Sequence, residues 1–194
     1  RRKREMREQA LGLVDKYLES EHLIKHSYAV EVVMRELANK LEPDRADEWA
    51  IAGLLHDLDA DMLDYKNDPD GSKLHGLKAV ELLQNEEFGN DYIYQAIKAH
   101  NKDNGTQRLS TVDKAIYAAD PITGFITAIA LIYPDQKISS VKVKSITKRM
   151  KELRFAAGAN REAMKSIEEL GIPFNEFAQI SLEAMQGISD TLGL

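Results

Sequence analysis

The sequence predicts an all-α protein, a helical bundle with a C-terminal helical extension. Three observations carry that prediction. Apolar residues recur at spacings of three, four and seven along nearly every segment, the signature of helices with one buried face. No pair of alternating segments suggests strands, and there is no repeat or low-complexity tract. The chain has 194 residues, 43% apolar and 30% charged, which is enough apolar material for a sizeable core.

Leu11, Val14, Leu18 and Leu23 mark a first helix, and Val30, Val33, Leu37 and Leu41 a second that starts near His26. Glu42-Pro43-Asp44 breaks it, with Asp44 able to cap the next helix. This third helix runs from Arg45 into Ile51-Ala52-Gly53-Leu54-Leu55 and is apolar on most sides, as a central buried helix should be. Asp57 to Gly71 reads as an Asp- and Asn-rich loop. Ser72 can cap a fourth helix over Lys73 to Phe88, ended by Gly89-Asn90, and Asp91 to His100 is a fifth. Ser110 can cap a sixth that carries Val112, Ile116 and Asp120 on one line. Pro121 predicts a kink or restart before the apolar helix Ile122 to Tyr133. Beyond Pro134, helices are expected over Val143–Phe155, Asn160–Leu170 and Phe174–Leu192, the last amphipathic and suited to packing on its own domain or on a second subunit. The expected organisation is a core over residues 1–135 and an extension over 136–194 that packs on it.

The net charge of −6 argues against a nucleic-acid binder. Residues 136–170 nevertheless hold nine Lys or Arg against four Glu, a basic segment that could steer a small anion or simply form a solvated helix face. The absence of cysteine excludes disulfides, thiolate metal sites and a cysteine nucleophile, and fits a cytoplasmic protein. The longest apolar run, Phe125 to Tyr133, is interrupted by Thr127 and too short for a bilayer, so no membrane association is expected. Arg1, Arg2, Lys3 and Arg4 precede no signal-like apolar stretch, and the chain opens without Met, as a trimmed N-terminus would.

Of five histidines, His26, His56, His75 and His100 sit beside apolar helical positions, where an imidazole needs a partner. Asp57 follows His56 at the end of the most apolar helix, and Asp120 lies within Tyr117-Ala118-Ala119-Asp120-Pro121-Ile122. Any one of these could be a satisfied core polar group. Six together suit a divalent transition metal, which compensates the buried carboxylates and leaves positions for water and substrate. Adjacent side chains diverge by about 100° in a regular helix, so His56 and Asp57 can converge only at a helix end. His22 reads as a surface or capping residue.

His26, then His56-Asp57, then Asp120 resembles the H…HD…D pattern of the HD superfamily of metal-dependent phosphohydrolases, over about residues 20–125. His75 in Leu74-His75-Gly76 and His100 in Lys98-Ala99-His100 resemble the two additional histidines of dinuclear members. The resemblance implies an HD-domain helical bundle binding one or two divalent ions (Fe, Mn, Co, Ni or Zn). His26, His56, Asp57 and Asp120 would hold one ion, and His75 and His100 a second, with Asp57 bridging. A hydroxide held between the ions would attack the phosphorus of a phosphate ester or anhydride of a small nucleotide-like substrate. Asp57 and Asp59 are then the carboxylates expected to serve the chemistry, with Asp59 and Asp61 candidates to hold the water or act as general acid. The alternative for Asp59 and Asp61 is that both are loop carboxylates capping a turn.

The HDIG variant of the family has Gly at the position of Asp59. Cyclic-dinucleotide phosphodiesterases have a second His after the one matching His100 and a Gly-Tyr-Pro motif beyond. Here Asn101 and Asn104-Gly105-Thr106 stand instead, so that substrate is not expected. Phosphate recognition should fall to Lys73, Lys102, Lys114 and, from the basic extension, Lys144, Lys148, Arg154 and Arg161. Arg154 and Arg161 flank a Gly-containing turn that could also be an ordinary link between helices. The same ligand set permits two other readings, a di-iron oxygenase and a non-catalytic metal- or nucleotide-binding sensor.

Overall fold

The computed structural model describes residues 2–64 and 67–194; Arg1 of the basic N-terminal run and Tyr65–Lys66 of the Asp-rich loop lie outside them. All regular structure among the described residues is helical: α1 (Arg2–Tyr17), α2 (Glu21–Leu41), α3 (Ala46–Leu55), α4 (Gly71–Leu74), α5 (Leu77–Asn85), α6 (Asp91–Ala99), α7 (Thr111–Ile132), α8 (Val143–Met150), α9 (Arg161–Lys165), α10 (Phe174–Gln186) and α11 (Ser189–Leu192).

Helix α3 is the axis of the fold. Its residues Trp49 to Leu55 are all buried, and it is wrapped by α1, α2, α6 and α7. The closest crossing is at Gly53, where a Cβ would meet the Val30 carbonyl oxygen of α2 at 2.8 Å. Glycine there lets two backbones touch, which sets the position of the end of α3. Helix α7 runs past α2, α3 and α6 and carries the C-terminal segment on its other sides. It opens with the expected Ser110 cap, strengthened into a reciprocal box with Asp113.

Four elements differ from the sequence reading. The chain leaves helix after Tyr17, where the Asp61 carboxylate accepts from the Glu19 and Ser20 amides at 2.7 and 2.9 Å and stops α1 and α2 from merging. The fourth helix is two helices, broken at His75-Gly76 with Gly76 at φ +91°. Pro121 does not interrupt α7, because a missing N–H costs one hydrogen bond in a 22-residue helix whose apolar face is packed on several neighbours. The three C-terminal helices are each shorter than the periodicity suggested: α8 gives way to turns after Met150, α9 tightens to a 3₁₀ turn over Ser166–Leu170, and α10 is separated from α11 at Gly187-Ile188.

Among the described residues, α7 is long and apolar enough by composition to span a bilayer, longer than the uninterrupted run within it. Its buried face instead belongs to the core, with Phe125, Ile126 and Ile129 inaccessible to solvent, and it carries Asp113, Lys114 and Asp120. Helix α10 packs on α2, α7 and α8, with Phe177 fully buried, and one apolar core runs from Ala10 to Leu192.

Candidate metal centre

Each of the six expected ligand residues sits where the backbone can aim it inward. His26 lies on the inner side of α2, and Asp120 is midway along α7. His56 is the residue at the C-terminal end of α3, His75 that of α4 and His100 that of α6. Asp57 follows His56 in the turn, past the regular helix, so the two neighbours can face the same point. The ends of α3 and α6 also present carbonyls and the negative pole of the helix, a favourable surrounding for a cation.

The side chains converge. His26 Nε2 is 2.8 Å from Asp120 Oδ1, and His56 Nε2 is 3.1 Å from the same oxygen and 3.2 Å from His26 Nε2. Asp57 Oδ2 is 3.5 Å from His26 Nε2, while its Oδ1 lies 3.0 Å from His75 Nε2 and 3.4 Å from His56 Nε2. His75 and His100 meet through their Nε2 atoms at 2.9 Å. Two clusters result, His26–His56–Asp57–Asp120 and Asp57–His75–His100, each with one donor atom per residue within 4.8 Å of the others. Asp57 belongs to both.

The outer nitrogens are fixed as well. His56 Nδ1 donates to the Gly53 carbonyl at 2.6 Å, and His100 Nδ1 to the Ile97 carbonyl. His26 Nδ1 meets Thr123 Oγ1 at 3.1 Å, a hydroxyl that itself donates to the Asp120 carbonyl at 3.0 Å and is therefore an acceptor for the imidazole. His75 Nδ1 meets Asp59 Oδ1 at 2.6 Å. Four imidazoles thus have their Nδ1–H engaged on the outside and Nε2 turned toward a common centre, the outer-shell pattern that metal-ligating histidines require. Imidazole and carboxylate donors in this number fit a divalent transition metal.

Charge keeps the cluster poised. Burial works against the charged form of His56, but Asp57 and Asp120 outweigh it and hold the imidazole up at about 9. His75 behaves likewise: burial lowers it, and Asp57 and Asp59 raise it to about 10. Burial, with His56 and His75 beside it, pushes His100 down to about 4. For Asp57 and Asp120 burial disfavours the carboxylate, yet the surrounding imidazoles, His56 and His75 on Asp57 and His26 and His56 on Asp120, hold both well below the ordinary range. Protons on His56 and His75 are what an ion would displace.

Asp59 takes a positioning role in place of the expected catalytic one. Its side chain is fully buried, and besides His75 it accepts from the Gly76 and Ala79 amides at 2.7 and 2.9 Å. It therefore caps α5 and aims His75 at once, which leaves it no oxygen for water or substrate. Asp61, tied to the α1–α2 link, is likewise a turn carboxylate.

The site opens on one side: the side chains of His26 and Asp120 are 21% and 31% exposed, against 0% and 1% for His56 and His100. Lys102 lies at this mouth, lining a cavity of about 160 Å³ with His100, Asp120, Tyr117 and Asn160. Lys114 lines a neighbouring cavity on the far side of Tyr117. Lys73 is exposed and pairs with Asp70 at 3.5 Å. Lys144 and Arg154 are exposed, and Lys148 borders a cavity that contains no ligand residue. Arg161 is not available to an anion: its guanidinium donates to the carbonyls of Arg149, Met150, Glu152, Phe155 and Ala156 at 2.6–3.2 Å, tying the turn after α8 to α9. Thr123 and the Gly53 carbonyl are functional partners that the sequence reading missed. Thr123 is one turn from Asp120 and Gly53 one turn from His56, and that spacing is the signal that could have found them.

The HD domain family matches residues 23–124, just over half of the chain and the segment that contains all six ligand residues. The chain belongs to the HD-domain family. No curated protein and no solved structure matches it. Membership accounts for the all-α fold and the two-cluster His/Asp centre, and makes a divalent metal the natural occupant of an HD domain so equipped.

Proposed function

We propose that the protein is a metal-dependent phosphohydrolase that cleaves a phosphate ester or anhydride of a small nucleotide-like substrate. One observation carries the reading: four imidazoles locked at Nδ1 and turned inward at Nε2 around Asp57, the carboxylate common to both clusters. His26, His56, Asp57 and Asp120 would hold one ion, and Asp57, His75 and His100 a second. Divalent cations there would lower the pKa of a water and stabilise charge on the attacking and leaving oxygens. Hydrolysis forms one P–O bond from water and breaks the P–O bond to the leaving group, which takes up a proton.

The protein residues bind and orient. Asp57 spans both clusters and keeps them at fixed spacing. Asp59, Thr123 and the carbonyls of Gly53 and Ile97 hold the imidazoles in register, so little reorganisation remains for the reaction. Lys102 at the mouth supplies a cation for a phosphoryl oxygen. The Asn160 side-chain carbonyl oxygen accepts from the Ala163 amide at 2.9 Å, which leaves its amide N–H groups as donors toward the same cavity.

The test is metal analysis of the purified protein followed by a phosphate-release screen over nucleotides and sugar phosphates. Manganese- or iron-dependent phosphate release is the expected result. Oxygen uptake on a diol or phosphonate without phosphate release would favour an oxygenase, and tight nucleotide binding without product a sensor.

A further inference from the structure

On the other side of the open ligands lies a second cavity, of about 460 Å³, between α2 and α7 and closed on a third side by Leu192, Gly193 and Leu194. Its α7 wall is Thr123, Gly124, Thr127 and Leu131, a stripe that starts one turn after Asp120 of the metal centre. His26 and Ala29 form the facing wall on α2. Gly124 leaves the middle of the α7 wall open. A Cβ on Gly124 would meet nothing within 4 Å, so this glycine fills no packing need and its missing side chain is simply space. Leu131 is 48% exposed at the far end, where α7 leaves the core.

Hydrogen-bonding capacity is withdrawn from this groove. Thr127 Oγ1 donates to the Thr123 carbonyl at 2.9 Å, and Thr123 Oγ1 to that of Asp120, so both hydroxyls are turned to their own helix. Lys25 at the rim is paired with Glu21 at 3.0 Å. Among the described residues, no phenyl, phenol or indole ring lines the cavity; its only rings are the imidazoles of His22 and His26, both at the α2 side. A largely apolar trough that opens on a polar reacting centre fits the organic part of a ligand whose charged end sits at that centre.

We propose that the α2–α7 groove is a specificity subsite for an aliphatic chain carried by the phosphorylated substrate, with the phosphate at His26 and Asp120 and the chain running along Gly124 toward Leu131. The inference rests on the phosphohydrolase reading and narrows its substrate class to phosphates bearing an apolar group on this side, leaving the Lys102 cavity for any polar substituent. Between Gly124 and Leu131 the helix rises about 10 Å, which matches an extended chain of about eight carbons.

Methyl-, butyl- and octylphosphonate, which cannot be hydrolysed to phosphate, serve as probes in calorimetric titrations of the manganese-loaded protein. Affinity should tighten about four-fold per buried methylene. Gly124→Leu, whose Cβ meets nothing within 4 Å, projects an isobutyl group into the groove and should weaken octylphosphonate at least ten-fold while leaving methylphosphonate unchanged. Leu131→Ser, at the exposed end, should weaken the octyl compound alone and by less. Unchanged melting temperatures and metal content confirm that both variants fold. Equal affinity for the three probes, or octyl binding indifferent to Gly124→Leu, overturns the proposal. Chain-length-dependent phosphonate binding without phosphate release from octyl phosphate or from any nucleotide or sugar phosphate of the screen would uphold the groove and remove the phosphohydrolase reading.

Discussion

The two halves of the centre are built differently. His26, His56 and Asp120 stand on α2, α3 and α7, helices that form the core of the fold, and their orienting partners are the neighbouring Thr123 and the Gly53 carbonyl. His75 stands at a break between two short helices and is aimed by one buried carboxylate, Asp59, from the turn after α3. Helix packing dictates the first half, so it is as stable as the core. In the second, His100 is set by the end of α6 and the Ile97 carbonyl, but His75 depends on one side chain that also caps α5, so this ligand can be lost while the fold survives. Asp57 alone ties the halves together.

The largest effect should come from that tie. Asp57→Ala removes a ligand from both clusters, and we expect metal content near zero and no activity, with far-UV circular dichroism close to wild type. Retained stoichiometry would show that neither half depends on it. Next comes Asp59→Asn, which can still accept one amide but no longer offers His75 a charged partner. Loss of such an outer-shell partner costs roughly 10–100-fold in metal affinity, and the loss should fall on one of two ions when binding is followed by titration. Asp59→Ala should cost in addition about 2 kcal/mol of stability, because the buried Gly76 and Ala79 amides lose their acceptor. Equal weakening of both ions would erase the contrast between the halves.

A third effect comes from pH. His56 and His75 titrate in the metal-free fold near 9 and 10, against about 6.5 unfolded. Raised values mean that their stabilising contribution is complete below pH 6.5 and is lost as pH rises through 9 to 10. His100, pushed to about 4, is neutral throughout that window. Metal requires neutral imidazoles, so its affinity should rise over the same interval. The melting temperature of the metal-free protein should therefore fall between pH 6.5 and 9, while the gap to the metal-loaded protein widens. Scanning calorimetry with and without manganese checks both, and a gap independent of pH would mean that no proton leaves on binding.

The sequence made the ligands legible and hid what aims them. Imidazoles and carboxylates beside apolar helical positions stand out because burial makes them costly alone, and His56-Asp57 at a helix end follows from helix geometry. Asp59 was not legible in the same way. A carboxylate that caps a helix from 17 residues upstream leaves no local pattern, whereas Ser72, which looks like the cap, lies within α4, whose N-cap is Asp70. Pro121 misleads because local propensity favours a break that the packing of α7 overrides. Arg161 misleads for a related reason: a cation beside a turn looks like an anion site, and the convergence of five carbonyls on it exists only in three dimensions.

The smallest effect tests the comparison most directly. Thr123→Val keeps the shape of the side chain and removes the acceptor of His26 Nδ1, the same kind of loss in the first half that Asp59→Asn imposes in the second. If outer-shell hydrogen bonds alone set ligand geometry, the two variants should weaken their respective ions alike. The His26 backbone, however, is also held in place by the packing of α2 on α7. The neutral hydroxyl contributes less than a carboxylate in such a bond. We therefore expect less than a ten-fold loss for Thr123→Val, confined to the ion held by His26, with no change in the other. A loss as large as that of Asp59→Asn would mean that the hydrogen bond, and not the helices, sets the first half of the centre.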